Sequence, residues 1–167
     1  MQKITIRDIL QRRFRYGGGG ELEGAFGIYI VKDEEVVLYV GKSLDPIERL
    51  ESHFGLLPHR SSGTELGMLY KDYPHEAQGW EIELYTLKEC YPLVKKHFGI
   101  ELQPNEPYDR SLELAELAMI YDCKPSLNVK HNKDASPLPA KYDRMPQHRL
   151  DNNAVDKLSF LAREEQP

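Results

Sequence analysis

The sequence predicts an α/β domain of the α+β kind: a small three-stranded antiparallel sheet flanked by helices. Three observations carry that reading. Two short apolar runs rich in β-branched residues, 26–31 and 36–40, are separated by a polar Lys-Asp-Glu-Glu, which is the pattern of a hairpin. Residues 80–87 alternate, with Trp80, Ile82 and Leu84 against Glu81, Glu83 and Tyr85, as a half-exposed third strand does. Helical punctuation surrounds these strands, most clearly at Asp45, Pro46 and Glu48 and again over 109–122.

In chain order, residues 4–14 set apolar side chains at 6, 9, 10 and 14, a helical spacing, with Thr5 as N-cap and Asp8 three residues on. The four glycines 17–20 then read as a hinge. The hairpin lacks the Asn-Gly of a two-residue loop, so a three-residue loop is expected, pairing Val31 with Val37 and Tyr29 directly with Tyr39. Both phenols then share one side of the sheet, and a slip of one residue would separate them. The helix from Pro46 turns Ile47, Leu50 and Phe54 to the core and Arg49 and His53 to the other face. A short helix is expected around 65–71. Another lies over 88–98, where Pro92 limits its start. The strongest helix, 109–122, stops near Cys123 because Pro125 disfavours helical geometry at Lys124. Beyond Asn128 the chain turns polar, with prolines at 137, 139 and 146: a meandering tail ending in a short helix near 154–163.

Composition bounds the possibilities. With 167 residues, 40% apolar and 29% charged, the chain suits one globular domain. Apolar runs reach only a handful of residues, so no membrane span is expected, and the N-terminus lacks the pattern of a signal peptide. Cys90 and Cys123 form neither a disulfide framework nor a metal motif, which suits a reducing, cytoplasmic setting. The net charge of −5 is uneven: +4 over 1–20, −10 over 21–128 and +1 over 129–167. Such a chain does not bind polyanions over its whole surface, and a nucleic acid must meet a local patch. Arg7, Arg12, Arg13 and Arg15 are the candidate contacts, although a charge run of this kind also serves as a solvated face.

Each chemically suggestive residue has an ordinary alternative. Tyr29 and Tyr39 also make a cross-strand packing pair. Arg49 and His53 also make the wet side of an amphipathic helix, and Lys42 a surface lysine. Glu116, among Leu112, Met119 and Ile120, is either half-buried and paired or at the rim of the core. Asn128 also suits a turn. No P-loop, nucleophile elbow or HExxH is present, and the six histidines show no metal-ligand spacing.

As an ordered set, however, these residues resemble the GIY-YIG nuclease family. Gly27-Ile28-Tyr29 matches its first motif and Tyr39-Val40-Gly41 its second, with Val in place of Ile. Gly41-Lys42-Ser43, Arg49 and His53 resemble its third element. Glu116-x-x-x-Ile120 with Pro125-x-x-Asn128 resembles its C-terminal block. The spacings are similar to those of the nuclease domain of bacterial excision-repair incision subunits. The resemblance spans about residues 24–130, within a domain 21–130 that follows a basic segment 1–20 and precedes the tail 131–167. The 62 residues between His53 and Glu116 exceed those of compact members and imply an insertion around 56–79.

The resemblance implies a metal-dependent endonuclease acting on DNA, with RNA less favoured. Tyr29 or Tyr39 would be the base, Lys42 and Arg49 would depress phenol pKa values, and Arg49 would grip a phosphate. His53 would relay a proton and Glu116 would hold a single, weakly bound Mg²⁺ or Mn²⁺. Asn128 would prop up the site. A non-catalytic binding module on the same fold is the alternative. Sequence specificity and oligomeric state stay open.

Overall fold

The computed structural model describes residues 1–14, 22, 24–58 and 63–143. Arg15, the glycines 17–20 and the helix expected near 154–163 lie outside the described residues. The fold is mixed α+β, built on an antiparallel sheet in the order β1-β4-β2-β3. The strands are β1 (Gln2–Thr5), β2 (Phe26–Asp33), β3 (Val36–Lys42) and β4 (Glu81–Thr86). The helices are α1 (Ile6–Leu10), α2 (Pro46–His53), α3 (Glu65–Asp72), α4 (Leu87–Phe98) and α5 (Tyr108–Cys123). The sheet therefore has one strand more than expected. Residues 2–5, too few to show a period, pair along β4, so Thr5 ends a strand and caps α1 at once. Its hydroxyl and Asp8 form the expected capping box, but the helix stops at Leu10 rather than Phe14.

Both faces of the sheet are covered, which erases the alternation of its inner strands. One face, carrying Tyr29, Val31, Ile82 and Leu84, packs with residues of α1, α2 and α3. The other, carrying Ile28, Ile30 and Val40, packs on Cys90 of α4 and on Leu112, Ala115 and Met119 of α5. Strand β4 is therefore interior and not half-exposed. Glu83 is buried, its carboxylate receiving the Tyr85 hydroxyl at 2.7 Å and Lys32 Nζ at 3.4 Å.

The hairpin differs from expectation in an instructive way. Asp33 pairs with Val36, leaving a two-residue loop, Glu34 and Glu35, with Glu34 at φ 53°. Continued without interruption, that register would put Tyr39 opposite Ile30 and send the two phenols to opposite faces. A bulge prevents this: Lys32 pairs with Val37 but Val31 with Tyr39, so Leu38 is an extra residue in β3. Beyond the bulge Tyr29 faces Gly41. The phenols are thus diagonal neighbours on one face, not a directly opposed pair.

Helix α2 begins as its sequence demands, with Asp45 Oδ1 accepting from Glu48 N–H at 2.9 Å and Pro46 in the first turn. Helix α4 occupies the span expected for it, 88–98, within one residue. It starts at Leu87 behind a Thr86–Glu89 capping box, and Pro92 sits exposed inside it. Water can then satisfy the carbonyl that the missing N–H leaves free. Helix α5 ends at Lys124, which takes the left-handed conformation at φ 49° ahead of Pro125. The polar segment that follows is anchored at Tyr142. This residue is 2% exposed, receives the Trp80 indole N–H at 2.8 Å and donates to Asp33, itself paired with Lys141 at 2.7 Å. No described helix is long and apolar enough to cross a membrane.

Candidate active site

The site gathers where β2 and β3 meet α2, α3 and α5. Tyr29 is 1% exposed, and its hydroxyl lies 2.8 Å from His53 Nε2. The other ring nitrogen, Nδ1, lies 2.7 Å from Thr64 Oγ1, and Thr64 is the N-cap of α3, accepting from Gly67 N–H at 3.1 Å. Helical spacing alone would have placed His53 on the wet face of α2. It is instead buried, because the 64–79 segment folds over it and adds Leu66, Leu69, Tyr73 and Ala77 to the core. The residues expected to be an insertion thus orient a site histidine. Thr64 was not legible as a functional residue, although Thr-Glu before an apolar run is an N-cap signal.

Tyr39 is half-buried. Its ring centroid is 6.1 Å from that of Tyr29 and 5.3 Å from that of His53. Burial pushes the Tyr29 phenol well above its ordinary range, and the neighbouring Tyr39 adds to this, while the Arg49 guanidinium pulls the other way. Burial also raises Tyr39, again opposed by Arg49. His53 is held down to about 4, first by burial and then by Arg49, so it is neutral at pH 7. A neutral imidazole has one donor and one acceptor. The arrangement that satisfies both contacts has Tyr29 O–H donating to Nε2 and Nδ1–H donating to Thr64.

Two glycines make this packing feasible. A Cβ on Gly41 would lie 2.3 Å from the Tyr29 ring, and one on Gly27 would lie 2.8 Å from Leu112 of α5. Helix α5 brings Glu116 to Lys42 at the end of β3, with Oε2 and Nζ 3.1 Å apart and the Glu116 side chain 21% exposed. Its carboxylate is half-buried and paired, the first of the two expectations for it. Asn128 spends its amide on the edge of β3: Oδ1 accepts from Val40 N–H at 2.9 Å and Nδ2 donates to Val40 C=O at 2.8 Å. Ser126 and Leu127 N–H groups bond the Val37 and Leu38 carbonyls, so 126–128 completes an otherwise unpaired strand edge.

Tyr39, Lys42, Glu116 and Asn128 line one open cleft of ~310 Å³, together with Glu65, Glu113, Lys130 and His131. Glu65 and Glu113 were not singled out in the sequence, because exposed helix glutamates carry no signal of their own. Arg7, Arg12 and Arg13 are not among the residues lining it. Arg12 donates to the Leu56 carbonyl and Arg13 pairs with Asp8 at 3.0 Å.

The donor set suits only one kind of metal site. Among the described residues no three His, Cys, Asp or Glu side chains gather, as a closed zinc site requires. A partly exposed carboxylate on the wall of a cleft that Glu65 and Glu113 also line suits a hard divalent cation whose remaining ligands are water and phosphate.

No family model matches the chain, and no solved structure matches it. Among curated proteins it is 35% identical over 86 residues to the UvrABC system protein C of Methanosarcina acetivorans. It is 33% identical over 86 residues to the UvrABC system protein C of Methanosarcina mazei. Each match covers 49% of this chain and 16% of the relative, so the chain spans about one-sixth of the length of the curated proteins it matches. Over about half its length, the chain is thus similar to a segment of UvrABC system protein C.

Proposed function

We propose that this chain is a divalent-metal-dependent endonuclease of the GIY-YIG kind that hydrolyses DNA phosphodiester bonds. One observation carries the reading: Tyr29, Tyr39, Arg49 and His53 form one electrostatically coupled cluster, and Tyr39 shares its cleft with the Lys42–Glu116 pair. The partial similarity to UvrABC system protein C supports it.

Tyr39 is the phenol at the cleft and Tyr29 the one behind it, within hydrogen-bonding reach of both Tyr39 and His53. A proton taken from an attacking water by the Tyr39 oxygen passes inward, Tyr39 to Tyr29 to His53 Nε2, while Thr64 holds Nδ1–H. Arg49 binds the phosphate. Its field adds to burial in depressing His53, so a phosphate anion that neutralises it raises the basicity of the imidazole at the moment of need. Glu116 would hold Mg²⁺ or Mn²⁺, which when bound supplies Lewis-acid stabilisation of the departing oxygen. Asn128 positions Tyr39 through the Val40 backbone.

The test is cleavage of plasmid, branched and single-stranded DNA with Mg²⁺ or Mn²⁺. Activity is expected to fall at least about a hundredfold in Glu116→Ala. Equal rates in the two proteins on every substrate overturn the proposal. A non-catalytic module that binds nucleic acid or protein is the second reading, favoured by the −10 charge of residues 21–128; it predicts no cleavage, and with a protein partner no DNA binding either.

A further inference from the structure

The open cleft does not end at Glu116. A second depression of ~370 Å³, lined by Ile120, Tyr121, Lys124, His131, Asn132, Lys133 and Asp134, shares Ile120 and His131 with the first. Glu116, Ile120 and Lys124 succeed one another at four-residue spacing along one face of α5 and its cap, so the joined groove runs about 12 Å. That length is roughly three to four base steps of one DNA strand. Along it the charge changes sign. Residues 124–133 hold Lys124, Lys130 and Lys133 and no acid, in contrast to the −10 of the domain as a whole. All three lysines are exposed, and no ion pair joins them to a carboxylate among the described residues. Among the described residues, Asp134 is the one acid lining the outer depression.

The backbone beneath these lysines is held in a closed loop. Asn132 Nδ2 donates to the Pro125 carbonyl at 2.5 Å and the Asn128 carbonyl at 2.9 Å. Ser136 N–H returns to the Lys124 carbonyl at 2.9 Å, and His131 takes φ 61° at the tip. A loop tied at both ends spares the backbone part of the ordering cost on binding. The same loop supplies Asn128 to β3, which couples it mechanically to Tyr39.

Building on the nuclease reading, we propose that the 124–136 loop is a phosphate rail: Lys124, Lys130 and Lys133 track the backbone of one DNA strand leading away from the scissile phosphate. It replaces the N-terminal arginines as the principal nucleic-acid contact, since Arg12 and Arg13 already hold the Leu56 carbonyl and Asp8. The contacts are to phosphates, so they set affinity and register and carry no base preference.

The experiment is fluorescence-anisotropy titration of a short labelled DNA duplex with the full chain, from about 50 to 200 mM salt. The variant is Lys124→Asn/Lys130→Gln/Lys133→Gln, Asn being chosen because it tolerates the left-handed backbone at 124. Each lost phosphate contact removes about 0.9 from the slope of log K against log salt, so the triple variant is expected to flatten it by roughly 2 to 3. Arg7→Gln/Arg12→Gln/Arg13→Gln is expected to leave the slope alone. As a second arm that removes no lysine, Asp134→Asn is expected to tighten binding about two- to fivefold.

A wild-type chain that cleaves DNA while the triple variant keeps its slope overturns the rail and leaves the nuclease reading standing. Slope loss in the triple variant of a chain that cuts nothing supports the rail and overturns the nuclease reading. A wild-type chain that binds no duplex overturns the rail whatever its variants do.

Discussion

Gly41 stands directly opposite Tyr29 in the β2–β3 ladder, and the ring of Tyr29 fills the space where a side chain at 41 would go. The phenol is held down on the sheet by its cross-strand partner's lack of a Cβ, and from there it reaches His53. Gly41→Ala is expected to lift the ring, break the Tyr29–His53 hydrogen bond and cost about 1–3 kcal/mol of overpacking strain. Urea unfolding measures the stability loss, and cleavage kinetics should show a fall in kcat of at least tenfold.

Protonation of His53 should couple stability to pH. Its folded value near 4 lies below the ordinary 6.5, so the unfolded chain takes up the proton first as pH falls. Stability from this group is therefore complete above about pH 6.5 and is lost between there and pH 4. The size is at most about 3 kcal/mol. Thermal melts of wild type and His53→Gln across this window check it: the variant should show a flatter profile.

Thr64→Val tests the imidazole's orientation. It removes the acceptor of Nδ1–H and the side-chain cap of α3, at a cost of about 1 kcal/mol for the cap. The distinguishing readout is the tautomer, followed by imidazole nitrogen chemical shifts. Wild type should hold the proton on Nδ1 and the variant should populate both forms. An unchanged tautomer rejects the assignment.

Asn128→Ala strips two hydrogen bonds from the Val40 backbone at the edge of β3. A loss of about 1–3 kcal/mol is expected, by denaturant titration. Because Asn128 acts through Val40 on Tyr39, kcat should fall while KM stays nearly constant.

Tyr142→Phe serves as a contrast. It deprives buried Asp33 of a donor and the Trp80 indole of its acceptor, costing about 2–3 kcal/mol. Asp33 lies four residues along β2 from Tyr29, about 13 Å away. Below the melting transition, cleavage should proceed at the wild-type rate.

Much of this was legible before any coordinates. The caps at Thr5 and Asp45, the core stripe of α2 and the end of α5 at Lys124 all rest on interactions within a few residues, and local sequence states these directly. Strand β1 was not legible, because four residues show no period. The exposure of β4 was misjudged because alternation does not report whether a second layer covers the polar face. The burial of His53 was equally hidden, since helical spacing gives a side chain's direction but not what folds over it.

The residue types the chemistry needs, and their order, were determined by the sequence alone: two phenols on neighbouring strands, an arginine and histidine one turn apart, a carboxylate on the last long helix. Only the tertiary structure decided that the phenols and the histidine touch and that Tyr39 and the carboxylate share a cleft. The extra residue Leu38 turns a two-residue loop into a register that sets both phenols on one face, and Thr64 turns His53 into an acceptor for Tyr29. Both depend on contacts between distant segments. Pairing across a bulge and burial under a later helix minimise the free energy of the whole chain, and no local pattern encodes that minimum.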